Sequence, residues 1–296
     1  MVSRVLVTGS SGFLGRTIVE RLLANGYDVI GLDPAPPAVT GHRHLDDDLS
    51  DVARLRTHLA AERPTHIIHA GGVSGPMVLA DHPDRVMAIN VGGTLNLLLA
   101  ALDTDVKTFV YCSSVSAVGD YYEATPIGDD YPLRPTSAYG CSKAAVDMVL
   151  RGLWGRVSLD LCSLRFTSIY GPGRQTSLII NDIIAGAAAA CSVRVPASTD
   201  WPYIHVDDAA DAAIAACFSD RRRQLVYFLA YPEQVALQDL AAAAGLARLE
   251  IDGSQPRASR GPIDIGPAVR DFGFAPKIDY REGVRRMIAT RAADGR

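Results

Sequence analysis

A short apolar run, Arg4-Val5-Leu6-Val7-Thr8, passes directly into Gly9-Ser10-Ser11-Gly12-Phe13-Leu14-Gly15, after which Ile18, Val19, Leu22 and Leu23 recur at helical spacing as far as Asn25-Gly26. Strand, glycine turn and helix in that order commit the chain to an α/β sheet whose first turn can take a pyrophosphate. The glycines let the backbone turn tightly and come close to the ligand, and the free N–H groups of the helix start face its charge. Gly9, Ser11, Gly12, Phe13, Leu14 and Gly15 are therefore candidate cofactor contacts. The next run, Tyr27 to Leu32, ends at Asp33, eighteen residues past Gly15, where a carboxylate can accept hydrogen bonds from a ribose diol. That carboxylate would repel a 2′-phosphate, and Pro34-Ala35-Pro36-Pro37 offers no arginine beside it, so the dinucleotide expected is NAD and not NADP.

A second signal stands out because lysine is so scarce. The chain has three, and one of them, Lys143, lies four residues after Tyr139 in a stretch from Ala138 to Leu150 that reads as helical. Residues four apart share a helix face, and a cation beside a phenol favours the phenolate. Tyr139 is thus a candidate acid or base, and Lys143 its electrostatic partner.

Together these motifs resemble the extended short-chain dehydrogenase/reductases, the NAD-dependent epimerase/dehydratase group. The likeness runs along nearly the whole chain: Asp48-Leu49, His69-Ala70-Gly71-Gly72, Asn90-Val91-Gly92-Gly93-Thr94, Tyr111-Cys112-Ser113-Ser114, Leu164-Arg165, Tyr170-Gly171-Pro172-Gly173 and Tyr203-Ile204-His205-Val206-Asp207-Asp208 follow in order. The resemblance implies that Asp48 and Leu49 lie near the adenine, that Ala70 and Gly71 line the cofactor groove, and that Ser114 completes a catalytic triad with Tyr139 and Lys143. In that scheme Tyr139 exchanges a proton with the substrate, Ser114 hydrogen-bonds the same oxygen, and Lys143 holds the nicotinamide ribose and lowers the tyrosine pKa. Asn90 is expected to be architectural, and His205 to sit structurally at a lobe junction. The resemblance also implies a homodimer built from the helix bearing Tyr139 and the helix near Asn90 to Leu99.

For the substrate the pattern departs from its relatives. Those that handle nucleotide sugars commonly carry a cation two positions before Tyr203, where this chain has Trp201, which cannot neutralise a pyrophosphate. Arg174 is the remaining cation facing the expected cleft and suits a carboxylate or phosphate. Ser74, in the loop after the fourth strand, is a further candidate contact. The first reading is an NAD-dependent oxidoreductase acting on a hydroxyl or carbonyl carbon of a sugar, sugar acid or related small hydroxy compound. The alternative is a nucleotide-sugar epimerase or dehydratase, and a catalytically silent NAD sensor is disfavoured by the intact Ser114, Tyr139 and Lys143.

Strands ending near Thr8, Asp33, Asp48, Ala70, Ser113 and Phe166 alternate with helical stretches, which predicts a doubly wound parallel Rossmann sheet with a smaller C-terminal substrate lobe. Residues 1–170, with 204–230 returning to them, are expected to form the NAD-binding domain, and 171–203 with 231–296 the substrate-binding lobe. A net charge of −4 and a single short basic run, Arg221-Arg222-Arg223, give nucleic-acid binding no support. The five cysteines are scattered without metal-binding spacing, so no metal is expected. With no signal-like amino terminus and no uninterrupted apolar run of membrane length, the reading is a soluble cytoplasmic protein.

Overall fold

A computed structural model describes residues 3–196, 200–252 and 261–293. Its framework begins with β1 (Arg4–Thr8), α1 (Phe13–Ala24), β2 (Asp28–Leu32), β3 (Arg43–Leu45), α2 (Val52–Glu62) and β4 (His66–His69). It continues through α3 (Pro83–Met87) and α4 (Gly93–Leu102), fused by a π-turn over Ala88–Gly92, to β5 (Thr108–Ser114), α5 (Ala138–Leu153) and β6 (Asp160–Phe166). After β7 (Ser168–Tyr170), α6 (Ile179–Ala188), β8 (Val193–Pro196) and β9 (Asp200–His205), the chain returns through α7 (Val206–Phe218) to β10 (Val226–Leu229). The final elements are β11 (Gln234–Ala236), α8 (Leu237–Ala244), β12 (Leu249–Asp252), α9 (Gly266–Phe272) and α10 (Tyr280–Ala293).

Seven parallel strands form one sheet in the order β10-β6-β5-β4-β1-β2-β3. The order reverses between β1 and β4, and at such a switch point the loops leaving the two strands part to open a crevice. Strands in this sheet are apolar on both faces because helices cover both. Val5, Val7, Val29, Ile68 and Val110 pack under α1 and α7, while Leu6, Ile30, Ile67, Phe109 and Tyr111 pack under α2, α4 and α5. Five alanines of α7 (Ala209, Ala210, Ala212, Ala213, Ala216) are buried in the first of these cores, their small side chains letting the helix lie close to the sheet.

A second, smaller core joins α6, α8 and α10 through Ile180, Ile183, Leu237, Leu240 and Val284, backed by the strands β11-β9-β7. Asp208, at the start of α7, ties the two parts together, its carboxylate accepting from the backbone N–H groups of Lys277 (2.9 Å) and Ile278 (2.9 Å). One segment assigned to the lobe from sequence goes elsewhere. Ala268 and Phe272 of α9, with Phe274, are buried in the core beneath α1 and α7, because the chain crosses back over the sheet before forming α10.

The helix running from Pro83 to Leu102 is the longest apolar one among the described residues, though Asp84, Arg85, Asn90 and Asn96 interrupt it. Its 20 residues are apolar enough to cross a membrane by length and composition, with a mean hydropathy of 1.5 over 18 residues. In the fold it is a core helix: Leu97, Leu98, Ala100 and Ala101 are buried against the sheet.

Candidate active site

The glycine loop closes on itself so tightly that side chains are excluded. Gly9 has φ +67°, and a Cβ there would lie 2.6 Å from the Gly71 Cα, while a Cβ on Gly15 would lie 2.0 Å from the Gly9 carbonyl oxygen. Gly12 caps α1 without any side-chain hydrogen bond, which leaves the first-turn N–H groups of the helix available to an anion. Asp33 stands at the end of β2 and is 9% exposed. Its oxygens accept from the backbone N–H groups of Ser11 (3.1 Å) and Ala35 (2.8 Å), which fix the carboxylate at the rim of the glycine loop.

Of the pair expected near the adenine, Asp48 is exposed and its carboxylate is occupied by Ser50, through the backbone N–H at 2.8 Å and the hydroxyl at 2.5 Å. These bonds hold its pKa below the usual carboxylate value. Leu49 is half-buried and packs beside Gly93. Ala70 and Gly71 continue β4 at the switch point, their N–H groups donating to Thr8 through its carbonyl (3.2 Å) and its hydroxyl (3.3 Å).

Beneath this groove lies a network that the sequence did not reveal. The Thr94 hydroxyl donates to the Asn90 carbonyl at 2.5 Å, so its oxygen accepts from His69 Nε2–H at 2.8 Å. His69 Nδ1 then accepts from the Thr8 hydroxyl at 2.6 Å, and this chain of donors assigns the tautomer. Burial and the charge of Lys143 lower the His69 pKa to about 3, so the ring stays neutral and the chain keeps its direction. Asn90, in the π-turn, clamps Val73 by accepting from its N–H (2.7 Å) and donating to its carbonyl (3.2 Å). It also donates to the Ser142 hydroxyl (2.9 Å), which donates to the Tyr139 carbonyl (2.7 Å). The advance signals were the motifs that hold His69 and Asn90, which name the residues but not the bonds between them.

Ser114, Tyr139 and Lys143 come together at the carboxyl ends of the central strands. Ser137 caps α5 by accepting from the Gly140 N–H at 3.1 Å, and Gly140 lets the helix approach the loop after β5 so closely that a Cβ would lie 2.4 Å from the Ser116 carbonyl. That approach brings Tyr139 beside Ser114, whose hydroxyl accepts from the Ser116 N–H at 3.1 Å and holds down the phenol's pKa. Lys143 is 6% exposed; its ammonium donates to the Cys112 carbonyl (2.8 Å) and lies 4.6 Å from the Tyr111 ring centre and 5.8 Å from that of Tyr139.

Burial raises the Tyr139 pKa above the ordinary phenol value, and Ser114 and the Arg174 guanidinium oppose the rise. The lysine is aimed at Cys112 and Tyr111, and burial lowers its own pKa to about 8. Arg174 donates through Nη1 to the Ile169 carbonyl (2.6 Å) and through Nε to the Thr176 carbonyl (3.3 Å). Its guanidinium also lies 5.8 Å from the Phe13 ring centre, so it links the glycine loop to the loop after β7.

The remaining candidates are less central. Ser74 is exposed on the loop that Asn90 clamps at Val73. Trp201 is half-buried against the lobe core, with its indole N–H donating to the Ser168 hydroxyl at 2.7 Å. His205 is 1% exposed beside Tyr170, their rings 5.4 Å apart and perpendicular.

The chain resembles known proteins over most of its length. Over 308 aligned residues the chain is 30% identical to the UDP-glucose 4-epimerase of Mycolicibacterium smegmatis, covering 96% of this chain and 97% of that one. It is 30% identical over 219 residues to a 3 beta-hydroxysteroid dehydrogenase/Delta 5-->4-isomerase of Mycobacterium tuberculosis, covering 69% of this chain and 58% of that one. The fold superimposes on the UDP-glucose 4-epimerase of Thermus thermophilus, solved with NAD, with a TM-score of 0.86, 28% identity and coverage of 98% and 99%. Residues 5–226 match the NAD dependent epimerase/dehydratase family, and this chain is an enzyme of that family.

Proposed function

We propose that the protein transfers a hydride between NAD and a hydroxyl or carbonyl carbon of a sugar, sugar acid or related small hydroxy compound, with Ser114, Tyr139 and Lys143 as its working triad. The observation that carries this reading is the gathering of Ser114, Tyr139 and Lys143 at the carboxyl end of β5, on the same side of the sheet as a glycine loop too tight for side chains and an immobilised Asp33. Those features fit NAD: the uncapped first turn of α1 (Phe13, Leu14, Gly15) and Ser11 would hold the pyrophosphate, Asp33 the adenosine ribose, and Ala70 and Gly71 the groove floor. Asp48 and Leu49 would border the adenine. When bound, the nicotinamide accepts or returns the hydride.

The residues then divide the proton chemistry. With its pKa raised by burial, Tyr139 holds its proton near neutral pH, the form that donates to a substrate carbonyl. In the oxidative direction, Ser114 and Arg174 stabilise the phenolate that accepts the alcohol proton. The Lys143 ammonium has three donors and commits one to Cys112, which leaves two for the ribose hydroxyls.

Substrate class follows from what each cation can reach. Arg174 carries five N–H donors and uses two on backbone carbonyls, leaving three for a carboxylate or phosphate near Ser114 and Ser74. Trp201 turns its N–H to Ser168 and supplies no charge for a pyrophosphate. A second reading, nucleotide-sugar 4-epimerase, is favoured by the near full-length likeness to UDP-glucose 4-epimerases. The lobe of 171–203 and 231–296, without α9, is the proposed substrate cover; part of it lies outside the described residues.

The test is to screen sugar acids, free sugars and nucleotide sugars for NADH formation and for epimerised product. Oxidation of a small hydroxy acid, weakened by Arg174→Ala, supports the first reading. Epimerisation of a tightly bound UDP-sugar, indifferent to Arg174→Ala, replaces it with the second. On the substrate found, Tyr139→Phe should lower kcat by roughly 10²–10⁴-fold with NAD affinity unchanged. Near-normal turnover would move the proton transfer to another group.

A further inference from the structure

Away from the triad, a cavity of about 520 Å³ opens between the outer face of α1, the start of α7 and the end of α10. Arg16, Glu20, His205, Asp207, Arg286 and Thr290 line it, and Pro172 forms part of its rim. We infer that this cavity is a second ligand site, taking a small phosphate- or carboxylate-bearing polyhydroxy compound whose anionic end meets Arg16 and His205.

One buried donor points to a missing acceptor. His205 Nδ1 accepts from the Asp207 N–H at 3.2 Å, so the neutral ring carries its proton on Nε2. That Nε2 is buried without a hydrogen-bond partner, in a residue 1% exposed, and it faces Gly171, next to Pro172 at the rim. A buried donor left without an acceptor costs free energy, and a ligand oxygen removes that cost. Burial and the neighbouring arginines hold the His205 pKa to about 4 despite Asp207, so the ring is a neutral donor at physiological pH.

Arg16 supplies the charge. Among the described residues it makes no ion pair, although Glu20 stands one helical turn away; the one hydrogen bond of its guanidinium goes to the Pro172 carbonyl at 3.3 Å. Four of its five donors remain free. Of the other charges on the wall, Arg286 pairs with Asp207 (3.2 Å) and Glu282 (2.7 Å), and Asp207 also with Arg21 (3.3 Å), while Glu20 makes no ion pair among the described residues. The space exceeds what a bare oxyanion fills and lies in the range of small-molecule sites, while Glu20 and Thr290 offer partners for hydroxyls. Because Arg16 also holds Pro172, an anion drawing on its guanidinium bears directly on the loop that carries Arg174.

The experiment is calorimetric titration of the full chain, saturated with NAD so that the glycine loop is filled, with inorganic phosphate, a hexose phosphate and a hexuronate in separate arms. Saturable binding of the hexose phosphate or the hexuronate is expected, weakened at least ten-fold by Arg16→Gln and partly restored by Arg16→Lys. The ¹⁵N resonance of His205 Nε2 in the unsubstituted protein should shift on saturation, a readout that stands even if a variant folds poorly. No binding in any arm, affinity unchanged in Arg16→Gln with no shift at His205, or binding seen only when NAD is withheld would each overturn the site.

Discussion

At the scale of single residues, the cofactor end of the molecule is governed by where two charges are held. Asp33 cannot swing away from a ribose, because both of its oxygens are occupied by backbone N–H groups. A 2′-phosphate brought against it would meet a fixed like charge, so NADP should bind at least about ten-fold more weakly than NAD, roughly 1.4 kcal/mol. Titration with both nucleotides checks this, and equal affinities would remove Asp33 from the ribose site. Lys143 makes the second prediction. Its ammonium in the free enzyme is present below about pH 8 and lost above it, so NAD affinity should fall as pH rises through that value. The unfolded chain keeps the same proton up to its ordinary value of 10.5, so between about 8 and 10.5 this lysine's contribution to folding stability rises with pH, opposite to its effect on binding. Comparing NAD affinity at pH 7 and 9.5, in the natural chain and in Lys143→Met, separates the two: the drop should vanish in the variant.

At the scale of elements, α5 positions the site because it is fastened at its start and again at its middle. Its start is set by the Ser137 cap and the close approach of Gly140 to the Ser116 carbonyl, and the Asn90–Ser142 link joins it to the π-turn. Farther along, Asp147 accepts from Arg165 Nε (2.8 Å) and the Ser163 hydroxyl (2.6 Å), with the arginine and the aspartate each 2% exposed. Removing one partner of such a pair leaves a buried charge unanswered. Asp147→Ala should therefore cost about 3–5 kcal/mol of stability, measurable by urea unfolding. A loss below about 1 kcal/mol would mean that water or a rearranged strand takes over the charge.

At the scale of the whole molecule, two cores of unequal size are joined by a few polar ties, Asp208 to the backbone of Lys277 and Ile278 and Arg174 to Phe13 among them. One outer face stays apolar: Met87, Ile89 and Leu99 on the long helix are 37%, 39% and 49% exposed, and Met148 on α5 is 55% exposed. Apolar groups gathered on adjacent helices of a surface are the composition of an interface core. We propose that a second copy of the chain covers them. Leu99→Glu with Met148→Glu should then convert a dimer to a monomer in sedimentation or light scattering. A natural chain already monomeric at high micromolar concentration would refute it.

Much of this arrangement was legible in the residues. The limits of β1 and the start of α5 follow from local apolar spacing and from glycine and serine punctuation, which act within a few residues and so survive without the rest of the fold. The glycine loop and Asp33 were readable because a single strand–helix–strand crossover through α1 sets β2 beside β1 and brings them together. What stayed hidden depends on chain segments distant in sequence. Lys143 reads as the partner of Tyr139 because they share a helix face, yet the fold turns its ammonium to Cys112 and brings Arg174 from another loop toward the phenol. Trp201 reads as a cleft residue, and its indole is claimed by Ser168 on the paired strand. α9 reads as part of the lobe, and Phe272 finds its apolar surroundings under α7 instead. Local periodicity therefore determined the elements and the turn that can hold a dinucleotide. Only tertiary packing decided which cation meets the phenol and which polar groups are left over for a ligand, because desolvation and side-chain aim are set by neighbours that the chain order does not name.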